Sequence, residues 1–340
     1  MEEAVRAMST EAGNTRSDLV PTITIVAPAL DEATNLPLFA ERVRKALESV
    51  NLDWELIVVD DGSSDESQRV LNDLHEKHPR IGFVSLSRSF GQQMAILAGL
   101  DVARGKATIV MDADLQQPPE LIPELIRHWQ QGAMIVHMVR KERGGRWSLK
   151  SITSRAFYAA IRHLTSVPIV AGAAEFFLVD RKVLDYLLRC RERSRFNRGL
   201  LAWVGFRRDM VEYEVASRHS GSSKSPVWKA AQLGLDAIFG FSVVPLRILG
   251  ALGIVSVFAT FAYALYIIAD VIFGGAVVRG WPSIILLIGW FGSVQMLSLW
   301  ALGEYVARAY LDVMGRPEYV VAQAALPGRP ASSDSHIGRR

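Results

Sequence analysis

Residues 108–120 read TIVMDADLQQPPE, and the way this stretch divides decides the fold. Its first part is an uncharged apolar run suited to a strand buried on both faces. Its second part is polar, sets Asp112 and Asp114 two residues apart, and ends in a proline pair that starts a helix. The same order, apolar run then acidic loop then amphipathic stretch, recurs toward the N-terminus. ELIVVD is followed by DGSSDES, and TITIVAP by ALDE. The spacing predicts strands at Thr22–Ala27, Trp54–Asp60, Gly82–Leu86, Ala107–Asp112 and Met134–Arg140. Helices are expected at Leu36–Val50, Asp65–Lys77, Gln92–Ala103 and Pro119–Gln131. The alternation implies an α/β domain with a mostly parallel sheet covered on both faces. Open sheets of this kind bind ligands beyond the carboxyl ends of their strands, where the acidic loops fall.

The rest of the chain bounds what this domain does. With 340 residues there is room for one α/β domain of roughly 220 residues plus something else, and half the residues are hydrophobic. A net charge of +3 is too small to argue for a nucleic-acid partner. The pI near 9.0 suits a protein resting against anionic headgroups. Cys190 is the single cysteine, which excludes an intramolecular disulfide and fits a reducing compartment. The histidines lack zinc-ligand spacing. Residues 1–20 have mixed charge and no apolar core, unlike a secretory signal, so the following domain is expected in the cytosol. Both 1–20 and the tail 325–340 read as disordered.

Two runs without a charge, Ile248–Ala269 and Trp281–Gly303, are each longer than the ~20 residues that cross a bilayer core. They predict transmembrane helices at 245–272 and 281–303, forming a hairpin. Arg247 before the first, and Arg308 and Arg316 after the second, place both termini and the catalytic domain on the cytoplasmic side of the inner membrane. Residues 226–244 interleave Trp228, Leu233, Ile238 and Phe241 with Lys229 and Asp236, which reads as an amphipathic interfacial helix or a core helix of the soluble part. Residues 304–324 are then a cytoplasmic C-terminal segment.

Asp112 and Asp114 repel one another, and a divalent cation on hard oxygen ligands relieves that repulsion while bridging a diphosphate. Asp-x-Asp alone is weak; after DDGS on an earlier strand it is strong. DDGSSD is compatible with a turn capping a helix and with a carboxylate that binds a nucleotide. Neither a G-x-G-x-x-G nor a Walker sequence occurs, which argues against dehydrogenases and P-loop enzymes. Arg140–Arg155 carries Arg140, Lys141, Arg143, Arg146, Lys150 and Arg155 against Glu142, a stretch suited to phosphates or headgroups.

Taken in order, PALDE, VVDDGSSD, LSRSFGQQMAILAGL, MDADLQQPPE, GLLAWVGF, GSSKS, PLR and GEYVARAYLDVMGRPEYVV resemble the motifs of polyprenyl-phosphate glycosyltransferases of glycosyltransferase family 2. The nearest branch is the bactoprenol-phosphate glucosyltransferases and their aminoarabinose-transferring relatives, with the dolichol-phosphate mannose synthases further off. The resemblance implies a GT-A domain over 21–225, a nucleotide-sugar donor, a polyprenyl (undecaprenyl) phosphate acceptor, Mg²⁺ or Mn²⁺, and inversion at the anomeric carbon. It implies that Pro28, Glu32, Asp60 and Asp61 surround the nucleotide and that Asp112, Asp114 and Gln116 organise the metal. Arg140, Lys150, Ser154 and Arg155 would face donor or acceptor phosphates, and Arg218, Ser223 and Lys224 would close over the site. Glu175 stands where relatives carry an Asp-Phe-Arg; here the run is Glu175-Phe176-Phe177, which keeps a carboxylate and loses the arginine. Leu30 and Asp31 replace the usual Tyr-Asn, and Gln117 stands where Asp is common. A UDP-linked hexose or modified hexose is the expected donor, feeding an envelope glycan or lipopolysaccharide modification. A homo-oligomer and a flippase partner are expected by the same analogy. The competing readings are a processive polysaccharide synthase and a non-catalytic membrane scaffold.

Overall fold

The computed structural model describes residues 21–141, 173–190, 192, 195–214, 244–273 and 280–328. The segments 1–20 and 329–340, all of 226–244 except Val244, and Lys150, Ser154, Arg155, Arg218, Ser223 and Lys224 lie outside the described residues.

Eight strands form one sheet: β1 (Ile23–Ala29), β2 (Trp54–Asp60), β3 (Ile81–Leu86), β4 (Ala107–Val110), β5 (Ile135–Arg140), β6 (Ala173–Asp180), β7 (Arg208–Tyr213) and β8 (Val321–Ala325). Their order is β7-β5-β6-β4-β1-β2-β3-β8. Pairings β1–β2, β1–β4, β2–β3 and β5–β7 are parallel, whereas β6 runs against β4 and β5, and β8 against β3. The sheet is therefore mixed, with four of its seven pairings parallel. β6 fills the slot between β4 and β5 in the reverse direction, and β8 covers the exposed edge of β3.

The strand expected to reach Asp112 ends at Val110. Met111 N still donates to Val26 O (3.1 Å), but the Asp112 N–H turns to the side-chain oxygen of Gln117 (2.9 Å). Pro28 exploits this departure. It continues the register of Val26, whose backbone faces β4, so its missing N–H falls where β4 has left the sheet.

The helices α1 (Leu36–Glu48), α2 (Ser67–Lys77), α3 (Gln92–Val102) and α4 (Ile122–Gln130, after a 3₁₀ turn at Pro119–Leu121) follow the predicted pattern. In α1, Leu36, Phe39, Ala40, Val43 and Leu47 recur at helical spacing and are buried with Ile23, Ile25 and Ala27 on one face of the sheet. α3 lies on the other face with the side chains of Val26, Val59 and Phe177. At Gly99 a Cβ would fall 2.3 Å from Val26 Cγ1, so only glycine lets α3 sit this close to β1. α5 (Arg181–Leu187) and α6 (Asn197–Trp203) complete that layer.

α7 (Val244–Ile272) and α8 (Trp281–Val313) are 29 and 33 residues long. Trp290 Nε1 on α8 donates to Ser256 Oγ on α7 (3.1 Å), so the two helices touch. Among the described residues one segment, Leu246–Tyr266, is long and apolar enough to cross a membrane by length and composition, with mean hydropathy 2.1. α8 runs ten residues past Gly303, the expected end of the second apolar run.

The chain then returns to the sheet. Gly315 takes φ +60°, Tyr319 donates through its hydroxyl to Asp101 Oδ2 (2.8 Å), and Ala325 pairs with Phe83. This corrects two expected boundaries. The sheet domain is not contained within 21–225 but takes its last strand from beyond both long helices. The tail also begins later than 325, because Ala325 closes β8 and a Cβ on Gly82 would lie 2.4 Å from Pro327. The physical reason is the edge of β3, which leaves backbone groups that a further strand satisfies.

Candidate active site

β1 lies between β2 and β4 in the sheet, and the chain switches from one side of it to the other. This is the topological switch point at which open α/β sheets leave a crevice. The loops after β4, β1 and β2 stand side by side there, bringing Asp112–Asp114, Pro28–Glu32 and Asp60–Asp61 into one row. Leu115 adopts φ +62° although it is 2% exposed and packed in the core. Such a conformation costs about 1–3 kcal/mol and persists only where neighbours enforce it. Here Asp114 Oδ1 accepts the N–H of Gln116 (3.1 Å) across the turn.

Two glutamines that open α3 hold two carboxylates. Gln92 Nε2 donates to Asp112 Oδ1 (2.6 Å), and Gln93 Nε2 donates to Glu175 Oε1 (3.2 Å). Gln117 donates to the other Asp112 oxygen (2.8 Å). Sequence reasoning set Gln117 beyond the metal-facing residues; at 1% exposure it clamps Asp112 from both sides of its amide. The signal for these glutamines was the Gln-Gln pair in SFGQQM directly after a glycine, whose partners lie far off in sequence.

Glu175, on β6, sits past the end of β4 and is 5% exposed. Its Oε1 also accepts from Arg198 Nε on α6 (2.9 Å). Phe177 stands where the family resemblance leads one to expect an arginine, and Arg198, from another element, pairs with the carboxylate. Burial, then the charges of Asp114 and Glu175, push the Asp112 carboxyl up to about 7, while the Gln92 bond and Arg140 oppose the shift. Arg140, the last residue of β5, is thus within electrostatic reach of the acidic loop.

Asp60 and Asp61 are both 3% exposed and both organise loops. Asp60 accepts from the backbone (3.0 Å) and hydroxyl of Ser63. Asp61 accepts from Ser89 Oγ (2.8 Å), Phe90 N (2.8 Å) and Gly91 N (3.0 Å), which fixes the approach to α3 and hence to Gln92 and Gln93. Gly62, at φ +72°, lies where a Cβ would fall 2.5 Å from the backbone of Arg88. The PALDE loop is tied to the same turn: Asp31 accepts from Ser64 N (2.8 Å), and Glu32 N donates to Ser67 Oγ (3.1 Å). Pro28 is buried and Glu32 half-buried.

Asp112 and Asp114 offer hard oxygen donors with surplus negative charge, which fits a divalent cation. Among the described residues no three His, Cys, Asp or Glu side chains converge on one point.

Residues 24–188 match the family described as Glycosyl transferase family 2. The chain is 39% identical over 300 residues to the uncharacterized glycosyltransferase sll0501 of Synechocystis sp., covering 88% of this chain and 94% of that one. It is 37% identical over 299 residues to the prophage bactoprenol glucosyl transferase homolog of Escherichia coli, covering 88% and 98%. A solved structure, the mannosyltransferase PcManGT of Pyrobaculum calidifontis, aligns at 16% identity and a TM-score of 0.43 over 88% of this chain and 93% of that one, a likeness too remote to carry weight. With its mixed α/β sheet and its acidic loops at the switch point, the chain belongs to glycosyl transferase family 2 and is a glycosyltransferase.

Proposed function

We propose that this glycosyltransferase moves a hexosyl unit from a UDP-linked donor to a polyprenyl phosphate at the cytoplasmic face of the membrane. The observation that carries the reading is the row of acidic loops at the β1–β4 crevice in a chain that also bears a membrane-length apolar helix. The name of the Escherichia coli relative supplies the lipid acceptor. The second apolar run, in α8, would make a second span, holding the crevice near the headgroup plane where a lipid phosphate is presented.

The acceptor phosphate has a second pKa near 6 and is a dianion at neutral pH. Its oxygen attacks the anomeric carbon, the bond from that carbon to the diphosphate breaks, and the nucleoside diphosphate leaves with the electron pair. No proton has to be removed from the nucleophile, so no strong base is required. The protein's part is to position two anions and to stabilise the departing one. Pro28, Glu32 and Asp60, with Asp61 acting through the loop it anchors, would receive the nucleotide. Asp112 and Asp114, with Gln116, would hold Mg²⁺ or Mn²⁺, which when bound neutralises diphosphate charge. Arg140, at the end of β5 and within electrostatic reach of Asp112, would meet phosphate, and the family pattern assigns Lys150, Ser154, Arg155, Arg218, Ser223 and Lys224 to the same task.

The test is turnover of the purified chain in detergent with undecaprenyl phosphate, Mg²⁺ or Mn²⁺ and a panel of UDP- and GDP-sugars. Lipid-dependent release of nucleoside diphosphate with one donor is expected, reduced about 1,000-fold in Asp114→Ala. Donor hydrolysis indifferent to the lipid, or full activity in the variant, would overturn the reading.

A further inference from the structure

Glu175 and Asn197 are both buried, at 5% and 3% exposure, and each has one polar atom without a partner among the described residues. On Glu175 that atom is Oε2, an acceptor; on Asn197 it is Nδ2, a donor. Buried polar atoms left unpaired are uncommon and costly. The two residues share a single intermediary. Gln93 donates through Nε2 to Glu175 Oε1 (3.2 Å) and accepts through Oε1 from Asn197 N (3.1 Å). The other half of each residue is fixed by an arginine: Arg198 on Glu175 Oε1 (2.9 Å) and Arg195 on Asn197 Oδ1 (2.8 Å). His137 pairs opposite Phe177, on the sheet face that Glu175 shares, and both its ring nitrogens are also buried without a partner. The cluster adjoins the acidic loop, since the consecutive residues Gln92 and Gln93 hold Asp112 and Glu175.

Resting on the transferase reading above, we infer that Glu175 Oε2 and Asn197 Nδ2 form a subsite for one hydroxyl of the transferred sugar, which donates to the first and accepts from the second. Gln93 is a positioning residue that sets the two at a common depth and, through its neighbour Gln92, in step with Asp112. The chemistry also selects the sugar class. The Glu175 charge is already matched by Arg198, and Asn197 presents N–H, so an ammonium group would meet one acceptor, one donor and a guanidinium. A neutral hydroxylated hexose is accepted; a sugar carrying an amino group at that position is rejected. A site built to hydrogen-bond a hydroxyl discriminates by about 10⁴-fold against an analogue lacking it, because its buried groups are then left unpaired.

The experiment uses the full chain in detergent with undecaprenyl phosphate, UDP-glucose, its four monodeoxy analogues and the amino analogue at the position the deoxy series identifies. The wild type should lose at least about 100-fold in kcat/KM with one deoxy donor and with its amino counterpart. In Asn197→Leu and Glu175→Gln that gap should shrink to less than about 10-fold. Gln93→Leu should lower kcat while UDP affinity, read by calorimetry, is unchanged. Titration with UDP-glucose and with UDP alone reads the subsite without turnover; the affinity added by the glucosyl group should disappear in Asn197→Leu. Turnover in which every donor falls by the same factor in the variants would overturn the subsite and assign these atoms to a buried water, leaving the transferase reading intact. Absence of both turnover and a glucosyl increment in binding would overturn the two together.

Discussion

Glu55 and Glu175 are buried carboxylates at opposite ends of one sheet, each paired with an arginine, and their oxygens are treated differently. At the amino end, Glu55 (2% exposed) accepts from Thr24 Oγ1 (2.8 Å) and from the backbone N (3.0 Å), Nε (3.1 Å) and Nη2 (2.7 Å) of Arg104. At the carboxyl end, Glu175 receives Gln93 and Arg198 on one oxygen and, among the described residues, nothing on the other. Full satisfaction is the mark of a group that holds strands together. A missing partner at a strand's carboxyl end is the mark of a group waiting for a ligand.

The comparison breaks first on substitution. Removing one partner of a buried ion pair costs about 3–5 kcal/mol, and Arg104, about a third exposed, moves Glu55→Ala to the lower end of that range. Chemical denaturation of the detergent-solubilised chain should show this loss, with donor turnover per folded molecule unchanged. Glu175→Gln removes the charge that faces Arg198, itself a quarter exposed, but keeps an acceptor for it, so it should cost less stability than Glu55→Ala while damaging turnover. A Glu175 variant that unfolds like the Glu55 variant would erase the distinction.

His137 sharpens the contrast by pH. It is 2% exposed, and burial, then Arg208 and Arg198, lower its pKa from 6.5 to about 4. Between those values the unfolded chain binds a proton that the folded chain refuses, so stability rises with pH across the window. Read downward, it falls from about pH 6.5, flattens below about pH 4, and loses about 3–4 kcal/mol in total. Unfolding midpoints from pH 7 to 4 should show this slope in the wild type and a shallower one in His137→Leu. Equal slopes would place the acid sensitivity elsewhere.

What the sequence disclosed and what it withheld follow from range. ELIVVD and TIVMD are apolar runs too long and too β-branched to be anything but buried strands, so β1 to β5 and α1 to α4 were legible to within a few residues. β8 is VAQAA, with little apolar signal; it exists because the edge of β3 needs a partner, and that need is recorded 235 positions earlier, at Leu86 opposite Val321. β7, RDMVEY, is likewise an outer strand with little apolar signal. The acidic loops were legible because a short spacing carries their chemistry. Gln92, Gln93, Asn197 and Arg198 were not, since their roles arise only where α3, α6 and β6 converge.

The smallest effect belongs to a pair whose geometry looks strongest. Arg42 on α1 meets Glu120 with two parallel bonds, Nε to Oε1 (2.8 Å) and Nη2 to Oε2 (2.6 Å), just after the loop of Asp112 and Asp114. Both groups are pulled toward their charged forms, Glu120 lowered and Arg42 raised, mainly by this mutual bond. Yet the Arg42 side chain is 29% exposed and that of Glu120 57%, so water competes for both. A double-mutant cycle with Arg42→Met and Glu120→Gln should give a coupling below about 1 kcal/mol, shrinking further near 1 M salt, where the Debye length is about 3 Å. A coupling above about 2 kcal/mol, insensitive to salt, would mean that the rim holds the acidic loop in place. Stability and site would then no longer divide between the two ends of the sheet, because a surface pair at the carboxyl end would be doing what Glu55 does at the other.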